Sequence, residues 1–151
     1  MNAAVTITSA IDWSKFDLEG WLYQFHAWSN GNTESIIKMI KVDTKKLKPE
    51  EREELLAELF KMQEVSRTKR KGVACKIDDN EARAVQRLIS DMMGNSEILD
   101  QWMRAIIMRY FSRMSWPEMV TPQRTQMDAR FDVKCGLAAL HSRYQFIVYK
   151  K

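Results

Sequence analysis

The stretch of sequence that decides the fold spans residues 97–144 and reads EILDQWMRAIIMRYFSRMSWPEMVTPQRTQMDARFDVKCGLAALHSRY. Its first part, residues 97–112, is apolar on nearly all sides of a helix, which is typical of a central, buried helix. A tight turn and about one helical turn follow. Thr121 and Pro122 then have the residue types of an N-cap and a first helical position, so they predict a long helix to about Tyr144. The order of these elements predicts a helix-turn-helix.

The segments before this stretch also carry apolar residues three or four positions apart, the spacing of helices. Pro49, followed by glutamates, is typical of a helix start, and Asp78 and Glu81 have the spacing of a capping box. The chain has only 5 Gly and 3 Pro, whereas sandwiches and barrels need many turns. The sequence therefore predicts an all-α protein with a C-terminal helix-turn-helix.

Composition divides the chain into three parts. Residues 1–64 are predicted to form an N-terminal helical, Trp-rich segment, residues 65–76 a basic linker, and residues 77–151 a helix-turn-helix-like helical domain. The linker carries basic residues and no acidic ones, which favours a mobile connector. Trp102 and Ile106 lie on the most uniformly apolar helix and are predicted to belong to the core.

The charge pattern points to an anionic partner. The formal net charge is +4, with basic excess concentrated in residues 65–76 and 101–151, and blocks of one sign suit a partner such as nucleic acid. A recognition helix presents its first turns to the major groove, where Arg and Gln side chains reach base edges. The candidate DNA contacts, expected to be exposed, are Gln123, Arg124, Thr125, Gln126, Arg130 and Lys134. Asp128 and Asp132 are expected on the same exposed face, where they would repel phosphates.

Two further groups of residues are candidates for binding. Lys69, Arg70 and Lys71 in the linker have the chemistry of phosphate or RNA contacts, and a solvated loop is the alternative. Trp21, Phe25 and Trp28 fall on one helical stripe and are interpreted as core or as a partner-binding surface. This stripe supports a competing hypothesis, a helical protein-binding module that inhibits a host complex and does not bind DNA.

No pattern of residues points to a metal, a cofactor or catalysis. Cys75, Cys135, His26 and His141 lack the paired close spacings of zinc ligands, and no nucleophile elbow, Walker loop or dinucleotide fingerprint is present. We therefore expect no enzymatic activity and no cofactor. Apolar runs are too short for a membrane span, no signal peptide is readable, and two cysteines favour a reducing cytoplasm.

Three segments of the chain together carry a resemblance to one family. Residues 18–28 read LEGWLYQFHAW, residues 75–85 read CKIDDNEARAV, and residues 108–119 read MRYFSRMSWPEM. They resemble the Leu-Glu-x-Trp-Gly-x-Trp opening, the Asp-rich entry into a central helix and the Tyr-x-x-Gly-x-Ser-x-x-Glu-Ile segment of the small late-gene antitermination Q proteins of lambdoid phages. The last segment is also similar to the helix-turn-helix of sigma factor region four. Arg113 stands where the family commonly has Gly, and the Cys-x-x-Cys pair of the zinc-bearing branch is missing.

The resemblance implies a function. A protein of this family binds DNA near a late promoter, joins the paused bacterial RNA polymerase and lets it read through terminators. DNA and RNA polymerase are then the partners, and the bacterial host cytoplasm is the location. By position, the residues that inherit the DNA-contacting helix are Arg124, Thr125, Gln126 and Arg130.

Overall fold

The computed structural model describes residues 11–29, 47–67 and 74–150. Within these ranges the protein is all-α, as predicted, and contains no strand. Two 3₁₀ turns, Trp13–Lys15 and Pro117–Met119, accompany the helices, and a π-helical turn over Ile107–Phe111 continues the helix Glu97–Ile106. The helices are α1 (Leu18–Ser29), α2 (Pro49–Arg67), α3 (Asp79–Ser90), α4 (Glu97–Ile106) and α5 (Gln126–Arg143). None of these helices combines the length and the apolar character that crossing a membrane requires.

The helix starts are fixed by side-chain caps. At α3 the Asp78 carboxylate accepts from the Glu81 backbone N–H, and the Glu81 side chain accepts from the Asp78 N–H, which is the predicted capping box. At α4 the Ser96 hydroxyl accepts from the Leu99 N–H at 3.1 Å. These caps satisfy backbone donors that have no partner within the helix.

One hydrophobic core joins the predicted N-terminal segment to the predicted C-terminal domain. Helix α1 packs against α3 and against the π-helical turn, and α4 packs against α5. The rings of Phe25 and Phe111 lie 4.4 Å apart, and the Leu18 N–H donates to the Val148 carbonyl at 2.8 Å. Residues on both sides of the basic linker therefore share a core, while residues 68–73 of that linker lie outside the described ranges.

The pairing of α4 with α5 rests on close contact. Ile106 is fully buried, as predicted, and Trp102 is half-buried against the core. Gly136 of α5 faces this pair so closely that a Cβ there would lie 2.6 Å from Ile106 Cγ1 and 3.1 Å from the Trp102 carbonyl oxygen. The absence of a side chain at Gly136 is what lets the two helices approach.

The predicted start of the long C-terminal helix is wrong by four residues. The helix begins at Gln126 rather than Pro122, with Thr125 as its N-cap. Thr121 and Arg124 exchange two backbone hydrogen bonds, of 3.0 and 3.2 Å, and close a turn instead. Pro122 suits this turn because its fixed φ fits the second position of a β-turn as well as a first helical position. Between α4 and α5 lie the π-helical turn, the 3₁₀ turn Pro117–Met119 and the turn at Thr121–Arg124. The helix-turn-helix stays a prediction.

Arg113, in the turn after α4, adopts a left-handed conformation with φ of 54°. This conformation is costly for residues with a Cβ and is nearly free of cost for Gly. We expect the free energy of unfolding of Arg113→Gly to exceed that of Arg113→Ala by about 1 kcal/mol. Both variants lack the side chain, so chemical denaturation of the pair isolates the backbone effect. Equal stabilities would mean that the turn relaxes to another conformation.

Candidate nucleic-acid interface

Two arginines flank a tryptophan beside the start of α5. The guanidinium carbon of Arg109 lies 3.9 Å from the centre of the Trp116 ring, and that of Arg130 lies 5.0 Å from it. Arg109 also donates from Nη1 to the Met114 carbonyl at 2.8 Å. Cations over an aromatic face are held by its quadrupole while they keep their charge. We call Arg109, Trp116 and Arg130 the arginine–tryptophan surface.

The outer face of α5 extends this surface. Gln126, Arg130 and Lys134 are exposed and follow one another at four-residue intervals, so they form one stripe along the helix. Gln123 is exposed in the preceding turn. These four predicted contacts are therefore accessible side chains on α5 and on the turn that precedes it.

Thr125 and Asp128 form the cap of α5. The Thr125 hydroxyl accepts from the Asp128 N–H at 3.1 Å, and an Asp128 carboxylate oxygen accepts from the Thr125 N–H at 3.0 Å. The hydrogen bond from the Thr125 N–H lowers the pKa of Asp128, and the hydrogen bond with the Thr125 side chain adds to this effect. Thr125 therefore has a structural task at the site where DNA contact was predicted, and Asp128 contributes an exposed negative charge.

The prediction that Arg124 is exposed is wrong. Only 3% of its surface is accessible, and its Nη1 lies 3.0 Å from Glu58 Oε1 while its Nε donates to Asp132 Oδ2 at 3.2 Å. Its guanidinium is turned inward because the turn at Thr121–Arg124 places it between α2 and α5. In this arrangement Arg124 holds helices together and is not available to a base.

Arg124 is part of a buried network of charges that we call the ionic cluster, and Asp132, predicted to be exposed, is also buried within it. Glu58 of α2 accepts from Arg104 Nε at 2.9 Å, and Gln101 Nε2 donates to Asp132 at 3.0 Å. Nearby, the Thr121 hydroxyl donates to Glu54 at 2.6 Å. The cluster thus connects α2, α4, the turn and α5.

Burial dominates the electrostatics of Glu58. Its side chain has no accessible surface, and removal from water raises its pKa, although Arg104 and Arg124 act in the opposite direction and Glu54 adds to the rise. A buried carboxylate is tolerated only when it is paired. Glu58 therefore depends on both arginines.

The Trp-rich helix is core, and the prediction of a partner surface there is wrong for two of its three residues. Trp21 and Phe25 have no exposed surface, and the Trp21 indole donates to the Trp13 carbonyl at 3.1 Å. Trp28 is half-buried, and its indole donates to Asp79 Oδ1 at 2.9 Å. Trp21 and Phe25 are enclosed in the core and therefore cannot anchor a partner.

The histidine and cysteine residues form no metal site among the described residues. His26 Nδ1 lies 2.7 Å from the Phe111 carbonyl, which only accepts, so this nitrogen carries the hydrogen. Burial lowers the pKa of His26. Among the described residues no group of His, Cys, Asp and Glu has the arrangement of a metal site. Lys69, Arg70 and Lys71 lie outside the described ranges, and their phosphate-contacting role stays a prediction.

The sequence analysis did not predict the buried Glu58 or the stacking of arginines on Trp116. For Glu58 the sequence did carry a signal. Glu58 falls three residues after Leu55 and four before Met62, and both of these are buried. A carboxylate on the apolar stripe of a helix indicates a buried ion pair. The stacking of Arg109 and Arg130 on Trp116 had no such signal, because it depends on how the turn folds.

Comparisons with protein-family models, with curated proteins and with solved structures gave no match.

Proposed function

We propose that this protein is a DNA-binding regulator of phage transcription that acts with bacterial RNA polymerase in the host cytoplasm, as an antitermination factor. The observation that carries the DNA-binding part is the exposed stripe Gln126, Arg130 and Lys134 beside Arg109. The antitermination part rests on the resemblance of residues 18–28, 75–85 and 108–119 to the phage Q proteins.

The stripe has the chemistry that major-groove contact needs. Gln126 lies in the first turn of α5, at the positive end of the helix dipole, while the capping carboxylate of Asp128 in the same turn opposes a phosphate there. Arg130 one turn later has the reach for a guanine edge, and Lys134 the charge for the backbone. Of the predicted contacts, Arg130 replaces Arg124 as the candidate base reader, since Arg124 is buried.

The competing hypothesis, a protein-binding module anchored by the Trp-rich helix, loses its anchor. Trp21 and Phe25 are enclosed in the core, so that helix has no aromatic stripe to offer a partner. The DNA-binding proposal keeps exposed residues at its site and is preferred for that reason.

Loss of Arg130 or Lys134 should reduce the salt dependence of DNA binding. A phosphate binder releases counterions, so the logarithm of its affinity falls linearly with the logarithm of salt. We expect Arg130→Ala and Lys134→Ala each to reduce the slope by about one unit. The measurement is fluorescence anisotropy with a random duplex, from about 50 to 300 mM salt.

Arg83→Ala is the matched control, because Arg83 is an exposed arginine on α3. It should leave the slope unchanged if the stripe on α5 is the contact surface. The proposal would be contradicted if the protein did not bind the duplex even at low salt. It would also be contradicted if Arg83→Ala reduced the salt slope as much as Arg130→Ala does.

A further inference from the structure

A groove with negatively charged walls lies between the first turns of α2, the start of α4 and the turn before α5. It consists of two adjoining pockets with volumes of about 280 and 370 Å³. The two pockets share the side chains of Glu54, Gln101, Arg104 and Gln123. We call this feature the acidic groove.

The first pocket carries a large excess of negative charge. Among the described residues that line it, Arg104 is the one basic side chain, and its Nε is engaged by Glu58. Leu47 and Leu55 supply an apolar part of the wall. The carboxylates that line it are Glu50, Glu51, Glu54, Glu97 and Asp100.

Buried carboxylate oxygens in the lining of the two pockets also lack hydrogen-bond donors. Within the described part of the chain, Glu54 Oε2 and Glu58 Oε1 are buried and accept no hydrogen bond, and the Glu58 side chain has no accessible surface. Arg124 Nη1 approaches Glu58 Oε1 at 3.0 Å as an ion pair but without the geometry of a hydrogen bond. Buried acceptors are normally satisfied. Glu58 is enclosed and paired with Arg104 and Arg124, so the acceptor that lacks a donor in the shared wall is Glu54 Oε2.

The second pocket has an exposed apolar rim. Ile98 and Phe131 line it and are 50% and 62% exposed, and Met127, one turn before Phe131 on α5, is 80% exposed. Large apolar side chains grouped at the mouth of a pocket are typical of protein-binding surfaces. Charge and apolar surface therefore meet at one place.

We propose that the acidic groove is the docking site for a basic, amphipathic segment of a partner protein. A lysine or arginine of that segment enters the first pocket among the carboxylates, and an adjacent apolar side chain covers Ile98 and Phe131. Charge complementarity favours a cation and excludes a phosphate backbone. The apolar rim favours a peptide over a free polyamine, which has no side chain to place on Phe131. This docking site does not depend on DNA binding by the stripe Gln126, Arg130 and Lys134, although Gln123, a further predicted DNA contact, lines both pockets.

The test is a selection of random dodecapeptides on the full-length protein, with the Glu97→Gln, Phe131→Ala double variant as the counter-selection. Enriched peptides are expected to pair Lys or Arg with Leu, Ile, Phe or another apolar residue. One enriched peptide, labelled for anisotropy, should bind the single variants Glu97→Gln and Phe131→Ala each about tenfold more weakly than the wild type. Spermidine is included as a competitor.

The matched controls lie on the far side of α2. Glu64→Gln and Phe60→Ala remove an exposed carboxylate and an aromatic ring that is 61% exposed, and both should bind the peptide as the wild type does. Arg130→Ala should also bind it normally, which separates this proposal from DNA binding. Enrichment of peptides without basic residues, or binding that is indifferent to Phe131→Ala, overturns the proposal. If spermidine displaced the peptide and Phe131→Ala did not weaken peptide binding, the pocket would be assigned to a free polyamine.

Discussion

Replacement of Arg124 by Met is expected to lower the free energy of unfolding by about 3–5 kcal/mol, because it removes one partner of a buried ion pair. Glu58 and Asp132 remain buried, and Glu58 keeps only Arg104. Chemical denaturation at neutral pH measures the effect. Arg130→Ala, which removes an exposed arginine six residues away, is the control and should stay within about 0.5 kcal/mol of the wild type.

The defect should depend on pH in a defined direction. Burial already raises the pKa of Glu58, and loss of Arg124 raises it further. A group with a raised folded-state pKa contributes stability below its unfolded pKa, and that contribution is lost as pH rises through the folded value. The Arg124→Met variant should therefore approach the wild type as the pH falls from about 7 toward about 5.

A second substitution tests whether the missing charge is the cause. Adding Glu58→Gln to Arg124→Met removes the unpaired buried charge. The double variant should therefore lose less unfolding free energy than the sum of the losses in the two single variants. Strict additivity, or a defect that does not change with pH, would mean that Arg124 acts through packing alone.

Replacement of Gly136 by Ala is expected to destabilise the protein by about 1–3 kcal/mol, the range of overpacked cores. In an open helix the same change stabilises by about 1 kcal/mol, so the sign of the effect reports on the contact. The new methyl group would lie 2.6 Å from Ile106 Cγ1. Thermal unfolding followed by circular dichroism measures it.

The control for Gly136 is its neighbour on the same helix. Cys135 is half-buried, and Cys135→Ala should cost less than Gly136→Ala because it adds no atom to the α4–α5 contact. The coupling to Ile106 is testable as well: Ile106→Ala with Gly136→Ala should cost less than the two single changes together. A stabilising Gly136→Ala would contradict the close approach.

The helices were predictable because their signals are local. Apolar spacing and caps such as Asp78 with Glu81 act within a few residues, and the existence of α3, α4 and a long α5 follows from them. The start of α5 was not predictable in this way. Thr121 with Pro122 and Thr125 with Asp128 are both good helix starts, and the choice depends on burying Arg124 between Glu58 and Asp132.

The candidate site was predictable in part for the same reason. Arg130 and Lys134 were identified correctly as exposed, since they lie on the outer face of a helix whose other face is apolar. Arg124 and Asp132 were misplaced, and the choice between core and partner surface stayed open for Trp21 and Phe25. Charge and aromatic character alone do not distinguish a surface residue from one whose partner lies far along the chain. Glu58, the partner of Arg124, is such a distant residue.

The hydrogen bond from the Leu18 N–H to the Val148 carbonyl has a consequence for how the chain is made. It joins the first residue of α1 to a residue near the C-terminal end, and a nascent chain emerges from its N-terminus onward. Helix α1 therefore leaves the ribosome long before its last partner exists. Its apolar side chains lack part of their cover until α3 and the π-helical turn have been made, and the Leu18–Val148 hydrogen bond closes later still.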